Sequence, residues 1–347
     1  MSTFILNICT VCNQRCVFCL DGDLKPGMNL TLAQVKTQIR VARRKKFDDV
    51  LFMGGETTVR KDFDQIVAYV TANGMNTWVA TNGLRFAYPE YLRHLIDDAG
   101  LYGIEFSLHS HEREVANRLA GMKRSFDLQA AALANIVAYN RAALAAGKRP
   151  VKLIFNSVIH AWNHRQIDAL VRYIDAQVGG AFEYAVKLKG LRARGRALQN
   201  AYILPRYPDL APSLQAACDF MAGRGVSYFV EGVPLCFLKG HEFASLETDG
   251  IVRNYKYGGW NFHSGGHTGL CQDGGLGEGY GRAAGCATCT LPAVCAGVWN
   301  DYLRLFGDAE FQPSAVPVDD VARQVLLPSD QRRAQLMAAH AATSLTA

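Results

Sequence analysis

Cysteines are where this sequence concentrates its chemistry. Four fall at Cys9, Cys12, Cys16 and Cys19, and five more at Cys236, Cys271, Cys286, Cys289 and Cys295, with only Cys218 between the groups. A long chain without a secretory signal keeps its thiols reduced, so tight groups read as metal sites and not as disulfides. Cys12, Cys16 and Cys19 form C-x3-C-x2-C directly after a short apolar stretch. Three thiolates on one short loop suit three irons of a [4Fe–4S] cube. The missing fourth ligand leaves one iron open for a substrate or cofactor. Zinc is the alternative: it wants a fourth ligand, and Cys9-x2-Cys12 makes one available. Otherwise Cys9 is a buried strand-end residue, and Cys218, in a predicted helix, is core packing.

Such a loop needs a scaffold. Strand-like segments at residues 5–9, 48–53, 76–80, 103–108, 151–158 and 182–188 alternate with helix-like segments at 30–43, 62–72, 88–99, 126–146 and 165–176. This alternation implies parallel strands joined by right-handed crossovers. Each strand runs straight into a polar or glycine-rich loop, the end at which α/β barrels place their chemistry. Six repeats are too few for a closed eight-stranded barrel. The expected fold class is therefore α/β, a partial (β/α)6 TIM-type barrel with an open side. The pattern breaks near residue 200, where Pro205, Pro208 and Pro212 surround a further helix at about 210–224; glycine-dense loops and the second cysteine group follow. The expected domains are a barrel at 1–205, a cluster-binding extension at 206–312 and a helical tail at 313–347.

The strand ends carry a recognisable series. Cys12-Asn13-Gln14-Arg15-Cys16-Val17-Phe18-Cys19 follows the first strand, Met53-Gly54-Gly55-Glu56 ends the second, Thr81-Asn82-Gly83 the third and Ser107-Leu108-His109 the fourth. In this order the sequence resembles the radical S-adenosylmethionine superfamily over residues 1–190. The resemblance implies that the amine and carboxylate of S-adenosylmethionine occupy the open iron. Reduction of the cluster then breaks the S–C5′ bond, giving methionine and a 5′-deoxyadenosyl radical. An electron donor such as flavodoxin or ferredoxin is implied with it. Gly54 and Gly55 allow close backbone approach, and their carbonyls suit the ammonium. Glu56 is expected to stabilise the loop. Ser107 is placed for the ribose or carboxylate, Phe18 for the adenine, and Asn156, on the fifth strand, for the same ligand. Asn82 is a further cofactor candidate, although Asn-Gly is also a strong turn former. His109 and Lys187 are the candidates for facing substrate. The alternative for His109, as for His111, and for Lys187, as for Lys189, is a solvated side chain.

Cys286-x2-Cys289-x5-Cys295 resembles the auxiliary-cluster extensions of the same enzymes, the SPASM and twitch domains. Gly266-x4-Cys271 matches an earlier element of that pattern. Trp299 stands where a further cysteine is expected, and no cysteine lies beyond it. Five cysteines cannot fill two four-ligand clusters, so one auxiliary [4Fe–4S] cluster is expected on Cys236, Cys286, Cys289 and Cys295, with Cys271 spare or exchanging roles. A zinc knuckle needs the same number of ligands and stays open. A closed cluster passes electrons. The expected reaction is thus an oxidative modification of a ribosomally made peptide. The alternatives are tailoring of a small natural-product or sugar intermediate and a non-catalytic iron–sulfur redox role. The start at a barrel strand, with no preceding peptide-recognition segment, weakens the peptide reading without removing it.

Composition excludes little else. Net charge is +6 and the basic residues are dispersed, so nothing demands nucleic acid. Arg43-Arg44-Lys45-Lys46 and the set Arg192, Arg194, Arg196 read as solvated faces or, alternatively, as sites for phosphate or a carboxylate-rich ligand. No apolar run has membrane-spanning length, and Met1-Ser2-Thr3-Phe4-Ile5-Leu6 lacks a basic n-region and reads as a strand. A cytoplasmic location is the expectation.

Overall fold

The computed structural model describes residues 2–25, 27–253, 257–261, 266–271 and 279–344, for 257–271 and 342–344 the backbone only. The strands are β1 (Thr3–Cys9), β2 (Asp49–Gly54), β3 (Asn76–Thr81), β4 (Leu101–Ser107), β5 (Lys152–Ile159), β6 (Ala185–Gly190), β7 (Ser227–Glu231), β8 (Tyr257–Asn261), β9 (Gly266–Cys271), β10 (Tyr280–Gly281) and β11 (Val298–Trp299). The first helices are α1 (Leu32–Arg44), α2 (Phe63–Ala72), α3 (Pro89–Arg93), α4 (Arg113–Ala120), α5 (Ser125–Ala145) and α6 (Ile167–Val178). The chain forms two compact units. The first comprises Met1–Asn156, Ile174–Tyr184 and Lys256–Cys271, and the second Ser157–Tyr173, Ala185–Tyr255 and Gln272–Ala347.

In the first unit the strand order is β5-β4-β3-β2-β1-β8-β9. All neighbours are parallel except β8 and β9. Residues of β3, β4 and β5 largely alternate between buried and part-exposed, whereas β1 and β2 carry longer buried runs. Phe4, Leu6, Ile8, Phe52, Val79, Ile104, Phe106 and Phe155 are all buried. They pack beneath the apolar stripes of the helices, among them Val35 and Ile39 of α1 and Ile66, Val67 and Val70 of α2. Helix α1 starts on a capping box in which Thr31 and Gln34 bond each other's backbone N–H groups. The architecture is α/β, a partial TIM-type barrel.

The second unit pairs β6 with β7 in parallel and β10 with β11 antiparallel. Where glycine-dense loops were expected, the short strands β8, β9 and β10 form, and β11 follows them; β7 and α4 were not expected either. Strand β7 is only five residues long and sits among glycines and prolines, yet Tyr228 and Val230 alternate inward. Helix α4 is short and polar on average, and only Ala116, Leu119 and Ala120 are buried. The helix expected at 88–99 is α3, which continues as a π-helical turn over His94–Asp98.

Candidate functional site

The first cysteine loop is fastened by backbone bonds at its base and along its length. Thr10 N–H donates to the Met28 carbonyl at 2.9 Å, Arg15 N–H to Ala120 at 2.8 Å and Val17 N–H to Leu119 at 3.0 Å. The Gln14 amide reaches Ser125 Oγ at 2.7 Å. The loop thus rests on Met28 and on the C-terminal end of α4, with Cys12 exposed and Cys16 and Cys19 half-buried.

The Gly54-Gly55-Glu56 corner explains its glycines. Gly55 N–H and Glu56 N–H donate to the carbonyls of Cys9 and Val11, each at 2.8 Å. A Cβ on Gly54 would stand 2.3 Å from the Cys9 oxygen, and one on Gly55 2.2 Å from the Val11 oxygen. Gly54 also has φ +131°, which favours glycine. The corner therefore holds the cysteine loop by direct backbone contact.

Glu56 joins that corner to the next strand end. Its Oε1 accepts from Thr58 N–H at 3.1 Å, Thr58 Oγ1 at 2.6 Å and Thr81 Oγ1 at 2.8 Å, and its Oε2 from Asn82 N–H at 2.7 Å. Burial pushes its carboxyl up, and these bonds oppose the shift. Asn82 in turn donates from Nδ2 to Asn13 Oδ1 at 2.7 Å, inside the cysteine loop, and lies 3.9 Å from Cys12 Sγ. A Cβ on Gly83, φ +78°, would meet the Phe106 ring at 2.1 Å.

The fourth and fifth strand ends lie side by side, with Ser107 in register with Asn156. The Asn156 Oδ1 is buried and has no hydrogen-bond partner among the described residues. Such an orphan acceptor fits a donor brought by a ligand. Phe18 is buried and meets the His109 ring edge-on at 4.9 Å. Burial lowers the His109 imidazole to about 4, so it is neutral at pH 7. Cys9 is fully buried, and burial, opposed by the Arg60 guanidinium, pushes its thiol up to about 12. That is the environment of an inert core cysteine.

In the second unit, Cys236, Cys286, Cys289 and Cys295 line one pocket with Leu235, Leu291, Pro292 and Phe311. Backbone N–H groups already point at two of the sulfurs. Leu291 and Ser314 donate to Cys289 Sγ at 3.5 and 3.4 Å, and Gly297 donates to Cys295 Sγ at 3.3 Å. The Cys236 thiol is pushed up to about 12 by burial and by the three neighbouring sulfurs. Among the described residues no three His, Cys, Asp or Glu side chains converge closely enough for a single metal ion. Four thiols spread around a cavity suit the larger [4Fe–4S] cube, to which the N–H···S bonds are also suited. The Cys271 side chain lies outside the described residues.

Lys187 and Lys189 stand on β6 of the second unit, opposite Phe229 and Glu231 of β7. Lys189 Nζ pairs with Glu231 at 2.6 Å. Burial raises the Glu231 carboxyl, but Lys189 and Lys187 outweigh it and hold the group below its ordinary value. Lys189 is thus engaged within the fold.

Several positioning residues are absent from the sequence reading. Arg60 donates to the carbonyls of Ile8 and Leu30 at 3.1 and 2.9 Å. Gln129 donates to those of Asn82 and Ser107 at 3.2 and 2.8 Å. The one local signal was Arg60 near Asp62, which pair at 2.8 Å.

Residues 6–174 match the family model described as "Radical SAM superfamily". A probable GTP 3′,8-cyclase of Methanocella arvoryzae is 27% identical over 208 residues, 56% of this chain and 63% of that protein. The GTP 3′,8-cyclase of Klebsiella pneumoniae is 32% identical over 178 residues, 49% of this chain and 50% of that protein. The chain thus spans only half to just under two thirds of the length of the curated relatives it matches. Among solved structures, Streptococcus suis SuiB bound to S-adenosylmethionine aligns with a TM-score of 0.61 at 15% identity, covering 90% of this chain and 76% of that one. SuiB bound to the precursor peptide SuiA aligns at 0.59, also at 15% identity, covering 90% and 75%. At that identity the likeness is one of fold.

Proposed function

Because residues 6–174 belong to the radical SAM superfamily, a family of enzymes that use a [4Fe–4S] cluster and S-adenosylmethionine, we propose that this protein abstracts hydrogen from a ribosomally made peptide and oxidises it. When bound, the cluster and S-adenosylmethionine supply a 5′-deoxyadenosyl radical. Cys12, Cys16 and Cys19 would hold that cluster. The carbonyls of Gly54 and Gly55, with Ser107, Phe18, Asn82 and the Asn156 Oδ1, would orient the ligand. Glu56 keeps the loop in place, and His109 and Lys187 are proposed to face substrate. An electron donor of the flavodoxin or ferredoxin class is proposed as a partner. Residues 1–205, 206–312 and 313–347 are the proposed barrel, cluster domain and tail.

The observation that carries the oxidative reading is the single cavity lined by Cys236, Cys286, Cys289 and Cys295. A cluster with four protein ligands has no open iron, so its chemistry there is electron transfer. The peptide reading draws support from the fold shared with SuiB, which binds a precursor peptide. One observation favours a second reading, a small natural-product or nucleotide-like substrate: the curated relatives are named for a reaction of GTP, and their identity is higher. A non-catalytic redox role is the third. Among the described residues no helix is long and apolar enough to cross a membrane; a cytoplasmic setting remains part of the proposal.

The test is deoxyadenosine release. Reduced, reconstituted protein should form it from S-adenosylmethionine, and a variant with Cys12, Cys16 and Cys19 all replaced by alanine should form none. A Cys289→Ala variant should still cleave the cofactor but yield little oxidised product. Unchanged cleavage by the triple variant would sink the enzymatic reading.

A further inference from the structure

The second unit contains two stacked groups whose buried N–H donors lack acceptors. The Arg192 guanidinium, just beyond β6, lies over the Trp299 ring at 4.4 Å. Trp299 also stacks with Tyr280 at 3.9 Å and 26°, its cross-strand neighbour in the β10–β11 pair. Tyr280 is fixed in turn by its hydroxyl, which donates to Glu247 Oε1 at 3.1 Å. Among the described residues Arg192 Nε and Trp299 Nε1 are both buried and both without a hydrogen-bond partner.

The carboxylate recorded against Arg192 does not answer that need. Asp301 Oδ2 is 3.8 Å from Arg192 Nε, beyond hydrogen-bond reach, and the other oxygen of Asp301 is taken by Arg304. Cation–π stacking accounts for the face of the guanidinium but not for its edge. Leaving a buried donor unmade costs about 1–3 kcal/mol. Two such donors on touching groups mark a place where the acceptor comes from outside the fold. An anion meets the need at the guanidinium edge, which matches a carboxylate and which the stack holds in one plane. The position is apt as well: Trp299 follows Val298, which lines the four-thiol cavity with Cys295 and Gly297.

We propose that Arg192, backed by Trp299, anchors the carboxylate of an aspartate or glutamate side chain of the substrate peptide, so that this protein acts on acidic peptides. The assignment rests on the peptide reading above, and the experiment separates the two. Hexapeptides randomised around a fixed central glutamate, and the same library with glutamine, are passed over immobilised holoprotein at low salt. The wild type should retain the glutamate library roughly tenfold better, the worth of one charge-assisted bond. Arg192→Gln should erase the preference. Trp299→Phe, which keeps a ring but drops the N–H, should weaken it several-fold. Arg192→Lys keeps the charge without the fork and should retain part of it, and a melting curve for each variant guards against misfolding. Equal retention of both libraries by the wild type overturns the anchor while leaving the peptide reading standing. Retention of neither overturns both. In that case protection of Arg192 from phenylglyoxal by inorganic phosphate would reassign the pair to a phosphorylated small molecule.

Discussion

Glu56 accepts four hydrogen bonds at the first site, and all of them serve the shape of the loops. Its carboxylate gathers two backbone N–H groups and two threonine hydroxyls from consecutive strand ends. Glu56→Gln keeps the volume but leaves one oxygen, and its NH2 must then face a donor, Asn82 N–H or the threonines. That mismatch should cost about 1–3 kcal/mol of stability, read as a lower urea midpoint. Iron held by the cysteine loop should fall with it, because Asn82 is what reaches Asn13 inside that loop. A variant with full stability and full iron would remove Glu56 from this positioning role. Glu56 was legible in the sequence because three adjacent residues at a strand end carry the pattern. Gln129 was not, because its bonds to Asn82 and Ser107 span 47 and 22 residues and exist only once the strands are aligned. Arg192 was legible only as one of three basic residues suited to a carboxylate-rich ligand, and Trp299 only as the residue where a further cysteine is expected; their stacking joins two positions 107 apart in the sequence.

At the scale of elements, the first strand–loop junction is where backbone approaches backbone most closely around the cysteine loop. The six expected strands all form, within a few residues of their expected ends. Apolar positions, in runs or in alternation, bounded by polar turns give a clear signal. The five-residue β7 and the polar α4 gave too few apolar positions to stand out. Junction geometry is where substitution should be felt most. At Gly55 a methyl would meet the backbone of Val11, at 2.2 Å from its oxygen and 2.7 Å from its carbonyl carbon. Backbone cannot rotate aside, so Gly55→Ala must push the cysteine loop off β2. At Gly180, φ +66°, an added Cβ meets nothing within 4 Å. Gly180→Ala therefore pays only the left-handed strain, about 1 kcal/mol, whereas Gly55→Ala should lose at least about 2 kcal/mol and most of the first-site iron. Thermal melts and iron assays on the pair of variants check this; equal effects would show that the close approach is not what the glycine serves.

The whole molecule distributes its thiols so that each proposed cluster-binding set belongs to one compact unit. Cys12, Cys16 and Cys19 lie in the first, and Cys236, Cys286, Cys289 and Cys295 in the second. Iron loading at one set should therefore not depend on the other. Anaerobic reconstitution should give about eight irons per chain, the content of two cubes. Alanine at Cys12, Cys16 and Cys19 should leave about four, and alanine at Cys286, Cys289 and Cys295 should also leave about four. The consequences for stability should differ. The first three thiols lie on one loop that backbone bonds already fasten to Met28 and to α4. The other four are drawn from positions 236 to 295, and burial with the neighbouring sulfurs raises the Cys236 thiol. Metal binding there closes a long segment around a cavity, so its free energy is largely folding energy. Stripping iron with a chelator should consequently lower the melting temperature mainly through the second set. The triple variant at 286, 289 and 295 should melt early with or without the chelator, and the triple variant at 12, 16 and 19 should keep the full chelator-sensitive shift. Loss of all iron from either variant would show the two sites to be coupled, and a wild-type value near four irons with one zinc would make the second set a zinc knuckle and end the electron-transfer role proposed for it.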